Sequence, residues 1–322
     1  HRSMRISAII AAIRPSKHDN APGPNINSMP HRAQISAGML FVLPALAGLF
    51  VFVGIPFLLA IGLSFTNLRL GSPLPLEFVG LTQFLRLFDD PAFTRALLNN
   101  LLFTVVVVPL QTLLALSLAL LLNQPLKGQA VFRTLFFMPV VFPLSLVSVV
   151  WILIYAPGPD GMLNSFLQLI SFGHWQARDF LHDPWLALPA IMLTSIWQGT
   201  GFQMVILLAG LQNIPEELYE AARIDAAGRW QRFWHITLPQ LRNTLIFVML
   251  VTTILAFRLF EQVQIMTHGG PRHATTTVMY EAVQAAFSRQ QVAKGAAITV
   301  IFFLVVLLVT LVQRRVARQE RL

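Results

Sequence analysis

Apolar residues in this chain come in long unbroken blocks, not in the alternating rhythm of half-buried strands or the short periodic stripes of soluble helices. Charge-free runs cover residues 38–65, 101–122, 134–155, 185–211 and 295–312. Crossing a hydrocarbon core of about 30 Å takes about 20 apolar residues, so each run predicts a membrane-spanning helix. A sixth run, 244–257, has only 14 residues between Arg242 and Arg258. Leu259 and Phe260 carry it on to residue 260, and an arginine near its end can snorkel toward the headgroups. The pattern predicts an all-α integral membrane protein with six transmembrane helices. The ten-residue alternating segments of a membrane β-barrel are missing, and soluble folds rarely bury runs of this length.

Composition sharpens that picture. Hydrophobic residues make up 55% of the 322 and charged residues 11%, against about 25% charged in a soluble domain. The net charge of +9 is spread over a charge-poor chain, unlike the dense basic patch of a nucleic-acid binder, so no nucleic-acid partner is expected. The chain has no cysteine, which excludes disulfides, thiolate metal sites and Cys nucleophiles. The N-terminal tail, segments 123–133 and 212–243 and the C-terminal tail hold 15 Lys and Arg residues, against 6 in segments 66–100, 156–184 and 261–293. Positive charge favours the cytoplasmic side, so both termini are expected in the cytoplasm, as an even number of spans requires.

Residues 1–37 are rich in Pro, Asn, Ser and basic side chains and are expected to form a disordered basic cytoplasmic tail. Ile6–Ile13 is apolar but short for a signal-peptide core, and Arg14 stands where a small-residue cleavage site belongs. Residues 38–315 form the membrane domain, and 316–322 a second basic tail. Prolines 44, 56, 109, 139, 143 and 189 fall within spans. They predict kinked helices, either for packing or around a cavity that opens and closes.

Chemistry-bearing motifs are few. No stretch matches GxxxxGK[ST], HExxH or GxSxG, and the eight histidines are scattered. Neither a bound nucleotide, nor a metal site, nor a nucleophile is expected. Acidic residues almost avoid the spans, which gives little support to an intramembrane ion relay.

Segment 212–243 carries the most information. It reads Gln212-Asn213-Ile214-Pro215-Glu216-Glu217-Leu218-Tyr219-Glu220-Ala221-Ala222-Arg223-Ile224-Asp225-Ala226-Ala227-Gly228. Pro215 suits a first turn, Glu216 and Glu217 complement the helix dipole, and Gly228 is expected to end the helix in a left-handed conformation. A second amphipathic helix is expected after it, with Trp230, Phe233 and Trp234 on its apolar face. By itself this pair fits helices lying on lipid headgroups.

Glu220-Ala221-Ala222, Gly228 six residues beyond, then Ile236 and Leu238-Pro239 resemble the EAA loop of the membrane subunits of ATP-binding-cassette importers. The stretch 214–225 is most similar to the carbohydrate uptake branch. Phe78-Val79-Gly80-Leu81, Ala209-Gly210-Leu211-Gln212 and Gly269-Gly270-Pro271 with Thr275-Thr276-Thr277 look like the same branch. The resemblance covers about residues 38–315. His268 departs from it, where many relatives carry glycine. Ala227 departs too, in the pair before Gly228 that is often Gly-Ala.

The resemblance implies a type-1 importer transmembrane domain in a bacterial plasma (inner) membrane, the maltose-permease-like first member of a pair. It further implies a second homologous permease subunit, two copies of an ABC ATPase that bind ATP and Mg, and an extracytoplasmic solute-binding protein. Glu220, Ala221, Ala222, Asp225 and Gly228 would form the surface coupled to the ATPase. This chain would be a transport subunit and no enzyme, without a cofactor of its own, working by alternating access in the lipid bilayer.

A sugar-like solute needs polar groups beside aromatic faces near mid-membrane. Trp197, Gln198, Gln203, Phe257, Arg258 and Glu261 are the candidates, with Gln111 weaker. Each amide also fits an interhelical hydrogen bond, and Arg258 and Glu261, three apart, fit an ion pair with each other. The alternatives are a permease of this type for a non-sugar solute, a secondary transporter, or an integral-membrane enzyme.

Overall fold

The computed structural model describes residues 31–125 and 127–319. They fold as helices and connecting loops, with one isolated antiparallel bridge between Thr66 and Phe78. Chain contacts divide the protein at Leu58 into two units.

In the first unit, α1 (His31–Leu49) passes through a five-residue π turn, Phe50–Gly54, into α2 (Ile55–Ser64), which continues into the second unit. The π turn lies just ahead of Pro56, whose ring supplies no N–H to the preceding turn. The tail expected to be disordered through residue 37 is thus helical from His31, and its first 30 residues lie outside the described ones. Pro30 is the last proline before the helix, and an apolar helix extends readily into residues that no longer break it.

In the second unit α3 (Thr82–Phe88) precedes the long α4 (Pro91–Leu122). Asp90 caps α4, its Oδ1 accepting from the Ala92 N–H at 2.9 Å, and Pro91 takes the first turn. At 32 residues α4 spans about 48 Å, so it starts well ahead of the apolar run at 101.

The third expected span is two helices, α5 (Gln129–Val141) and α6 (Leu144–Ile154), bent by 99°. Phe142 between them is extended, with φ −77° and ψ 140°. The following Pro143 disfavours a helical conformation at Phe142 and donates no N–H to the preceding turn. The loop carrying α7 (Met162–Ile170) is ordered by Asn164. Its Oδ1 accepts from the Trp175 indole and the Arg178 backbone, both at 3.0 Å.

α8 (Ala187–Gln212) lies at the centre, packed against α4, α5 and α11 (Leu238–Phe257). Between α8 and α11 come α9 (Glu216–Ile224) and α10 (Arg229–Arg232). A π turn, Phe233–Thr237, then leads directly into α11, so Pro239 falls inside the first turn of that helix. α12 (Glu261–Met266), α13 (Val278–Val283) and α14 (Val292–Gln319) complete the chain. The basic C-terminal segment is therefore helical as far as Gln319. Among the described residues five helical stretches are long and apolar enough to cross a membrane, or six if the bent pair α5–α6 counts as one.

Packing is close where α8 carries glycine. A β-carbon on Gly210 would come within 2.9 Å of Leu241 and Thr244 on α11. One core cluster gathers Leu116, Ala119, Met204, Leu208 and Leu241 near these helix ends. Another gathers Phe103, Tyr155, Ile191 and Val263 toward the opposite ends.

Candidate functional site

Two features of the second unit bear on function, an exposed helix at one end of the spans and a cavity between them.

The exposed helix is α9. Glu216 and Glu217 fill its first turn and Arg223 its last, an arrangement that suits the dipole. No α9 residue is fully buried. Glu220, Ala221 and Asp225 are exposed and Ala222 is half-buried. Glu220 and Asp225 have no ion-pair partner within 4 Å among the described residues. Ile224 at the helix end is 86% exposed. α9 is held from behind by the Tyr219 hydroxyl, 2.9 Å from the Thr237 hydroxyl in the π turn.

The residue that ends α9 is not Gly228. Ala226 takes the left-handed conformation, with φ 55°. The Ala227 N–H then reaches back to the Ala222 carbonyl at 2.9 Å, as in a Schellman close. Gly228 is extended, with φ −67° and ψ 169°, and begins α10. Its N–H donates to Gln231 Oε1 at 2.7 Å. The two-residue separation of the close from the next cap decides the matter, since one residue cannot serve both. After it, Phe233 meets both Trp230 and Trp234 edge to face. Phe233 packs on the core, while Trp230 and Trp234 stay exposed.

The cavity, of about 340 Å³, opens between α4, α8 and the end of α11. Three of the six candidate residues line it: Gln198, Arg258 and Glu261. Gln111 lines it too, beside Gly199, where a β-carbon would overlap the Gln111 amide. Arg258 and Glu261 both face the cavity without an ion pair to each other. Helix α11 stops at Phe257 and α12 begins at Glu261, so the helical i, i+3 geometry that would pair them is broken. Gln198 donates to the Phe142 carbonyl at the α5–α6 break, at 3.4 Å.

The other three candidates lie elsewhere. Gln203 is buried and donates to the Thr252 hydroxyl, joining α8 to α11. Phe257 is buried and faces Phe302. Trp197 is half-exposed and meets Trp151 edge to face at 5.6 Å.

Residues without a sequence signal complete the cavity wall. Ser195 Oγ donates to Gln262 Oε1. Gln262 is 2% exposed, and its Nε2 has no hydrogen-bond partner among the described residues, which is costly for a buried donor. The break that presents Arg258 is held open by distant side chains. Asn100 Nδ2 donates to the Phe257 carbonyl at 3.3 Å, and Thr277 Oγ1 donates to the Leu259 carbonyl at 2.7 Å. Asn100 Oδ1 in turn accepts from the Val278 N–H at 2.7 Å. The signal for Asn100 was its place, beside Asn99, at the edge of an apolar run.

Comparison with known proteins supplies the family. The model of the binding-protein-dependent transport system inner membrane component matches residues 90–322. The chain belongs to that family. A probable ABC transporter permease of Bacillus subtilis is 35% identical over 278 residues, covering 86% of this chain and 94% of that protein. A trehalose/maltose transport system permease of Thermococcus litoralis is 34% identical over 299 residues, covering 92% and 99%. In fold, the chain is similar to a chain of a bacterial ABC transporter involved in the import of the acidic polysaccharide alginate. That match has a TM-score of 0.75 at 22% identity and covers 89% of this chain and 96% of that one. This inner membrane component is thus a multi-pass permease, the transport subunit of an ATP-driven, binding-protein-dependent importer, with a type-1 importer transmembrane fold.

Proposed function

We propose that this permease passes a sugar or a closely related polyhydroxylated solute through the cavity between α4, α8 and α11. The observation that carries the reading is Gln262 Nε2, which has no partner among the described residues and is buried in the cavity wall beside Gln198, Arg258 and Glu261. A solute hydroxyl accepts from that donor, and other hydroxyls bridge the guanidinium and carboxylate, which are free of each other. Phe103 and Phe260 supply apolar wall for the C–H faces of a sugar ring. The solute named for the Thermococcus litoralis relative supports the same class.

The permease is the first of two homologous membrane subunits, with both termini in the cytoplasm. Two ABC ATPase subunits bind ATP and Mg and carry out hydrolysis, and an extracytoplasmic protein delivers the solute. This chain holds no cofactor and catalyses no reaction. Helix α9 docks on an ATPase through Glu220, Ala221, Ala222 and Asp225, with Gly228 starting the helix that follows. Nucleotide state then biases two arrangements of the spans.

The test is isolation of the complex with its binding protein and chemical identification of the bound solute. A polyhydroxylated solute is the expected result, with transport in proteoliposomes weakened in Gln262→Leu. An amino acid or inorganic ion on the binding protein would overturn the sugar assignment.

A further inference from the structure

A second cavity, of about 400 Å³, lies at the end of the spans opposite α9. It is bounded by the segment after α2, by α3 and by the start of α14, and among the described residues no carboxylate lines it. Arg69, Arg86, Gln291, Ser72 and Gln83 line it, with one Gln83 amide hydrogen already given to the Thr66 carbonyl at 3.0 Å. Lys294, also on its wall, is taken up by Asp90, Nζ to Oδ2 at 2.6 Å. Arg69 and Arg86 have no ion-pair partner within 4 Å among the described residues. Two guanidinium groups therefore line one cavity, and the Asp90 carboxylate near its wall is already held by Lys294.

Its position relative to the hydrocarbon follows from the sequence. The charge-free run of α14 starts at residue 295, one residue past Lys294, so the cavity sits at the edge of the apolar layer. α3 is amphipathic there. Leu87 faces inward with 0% exposure, while Leu81, Leu85 and Phe88 are 61%, 67% and 64% exposed along one side. Apolar side chains spaced i, i+4, i+7 beside a basic polar face are the mark of a helix lying in the headgroup layer.

We propose that this cavity binds the headgroup of an anionic phospholipid. The phosphate lies between Arg69 and Arg86, where planar guanidinium groups can each offer two donors. The acyl chains run over Leu81, Leu85 and Phe88. A bound lipid would thereby pin α3 and the loop before it to the start of α14 at the bilayer edge.

The experiment uses the complete importer in nanodiscs of phosphatidylcholine with or without phosphatidylglycerol, released gently for native mass spectrometry. Phosphatidylglycerol should be retained on the wild-type complex in preference to phosphatidylcholine. Arg69→Gln and Arg86→Gln should each lower that retention about fivefold. The Arg69→Lys/Arg86→Lys pair, which keeps both charges, should retain the preference and guards against a folding defect. Arg95→Gln, outside the cavity, should change nothing. Equal retention in the Arg69→Gln/Arg86→Gln double variant overturns the proposal. So does unchanged retention with weakened stimulation by the solute-binding protein, which would assign the arginines to an acidic protein surface.

Discussion

Gly201 on α8 lies directly against the carbonyl oxygen of Phe136 on α5, so close that a β-carbon would overlap it and crowd the Phe137 Cα. The obstacle is backbone, which cannot swing aside as a side-chain end can. Gly201→Ala should therefore push α5 from α8, at a cost of roughly 1–3 kcal/mol. Thermal unfolding of the purified complex measures it, with Gly62→Ala as the control, since nothing stands within 4 Å of a β-carbon there. Equal stability of the two variants would refute the close approach.

The turn after α9 makes an unusual pair of predictions. Ala226 holds a left-handed conformation that a β-carbon disfavours, and Gly228 holds one that any residue tolerates. Ala226→Gly should stabilise the turn by about 1 kcal/mol. Gly228→Ala should leave ATPase stimulation by the binding protein near wild type, its β-carbon meeting only Gln231 Oε1 at 3.7 Å. Abolished stimulation in Gly228→Ala with the ATPase still bound would show that the docking surface itself requires the glycine.

Membrane orientation is open to direct test because the chain has no cysteine. Gln231, His174 and Arg272 are all exposed. Single cysteines at His174 and Arg272 should react with an impermeant thiol reagent in intact cells. One at Gln231 should react only after the membrane is opened. Thr275, on the same loop as Arg272, is buried and should stay unlabelled from either side. Labelling of Gln231 in intact cells would invert the topology.

Asp90 links stability to pH. Burial alone would raise its carboxyl, but the Lys294 ammonium and the N–H groups at the start of α4 outweigh it and hold the carboxyl below its ordinary value of 3.8. The stabilisation is therefore present in full above pH 3.8 and fades as the pH falls through the lower, folded value. Asp90→Asn keeps a capping oxygen while losing the charge. It should cost roughly 1–3 kcal/mol at neutral pH, with the gap from wild type closing on acidification. A gap that stays constant on acidification would exclude the ion pair as its source.

The parts of this protein that were legible in the sequence depend on neighbours along the chain. Apolar runs marked α4, α8 and α14 because burial in lipid demands length and freedom from charge. Pro215 and the two glutamates after it marked the start of α9 because caps are local. What eluded the sequence depends on groups far apart in it. The prolines at 139 and 143 predicted a kink, and Pro143 does break the helix at Phe142, but the angle of 99° has no signal in the sequence. Gln203 and Gln262 are the same residue type in similar apolar surroundings. Among the described residues, one donates to Thr252 and leaves its own Oε1 unpartnered between α8 and α11, while the other keeps a free donor on the cavity wall. Ala226 hid the left-handed turn because glycine is the residue that signals one.

The asparagine at position 100 also sets a clock on biosynthesis. Its Oδ1 waits for the amide of Val278, 178 residues later. At ribosomal speeds of about 5–20 residues per second, that interval lasts roughly 9–36 s. Throughout it, α4 has been made but the partners that complete its polar end have not. The nascent chain must be sheltered for that time by water, by the insertion machinery or by temporary neighbours. Only when the region around α13 emerges can the early and late halves of the protein lock together, so the last third of the chain governs when the first third becomes native.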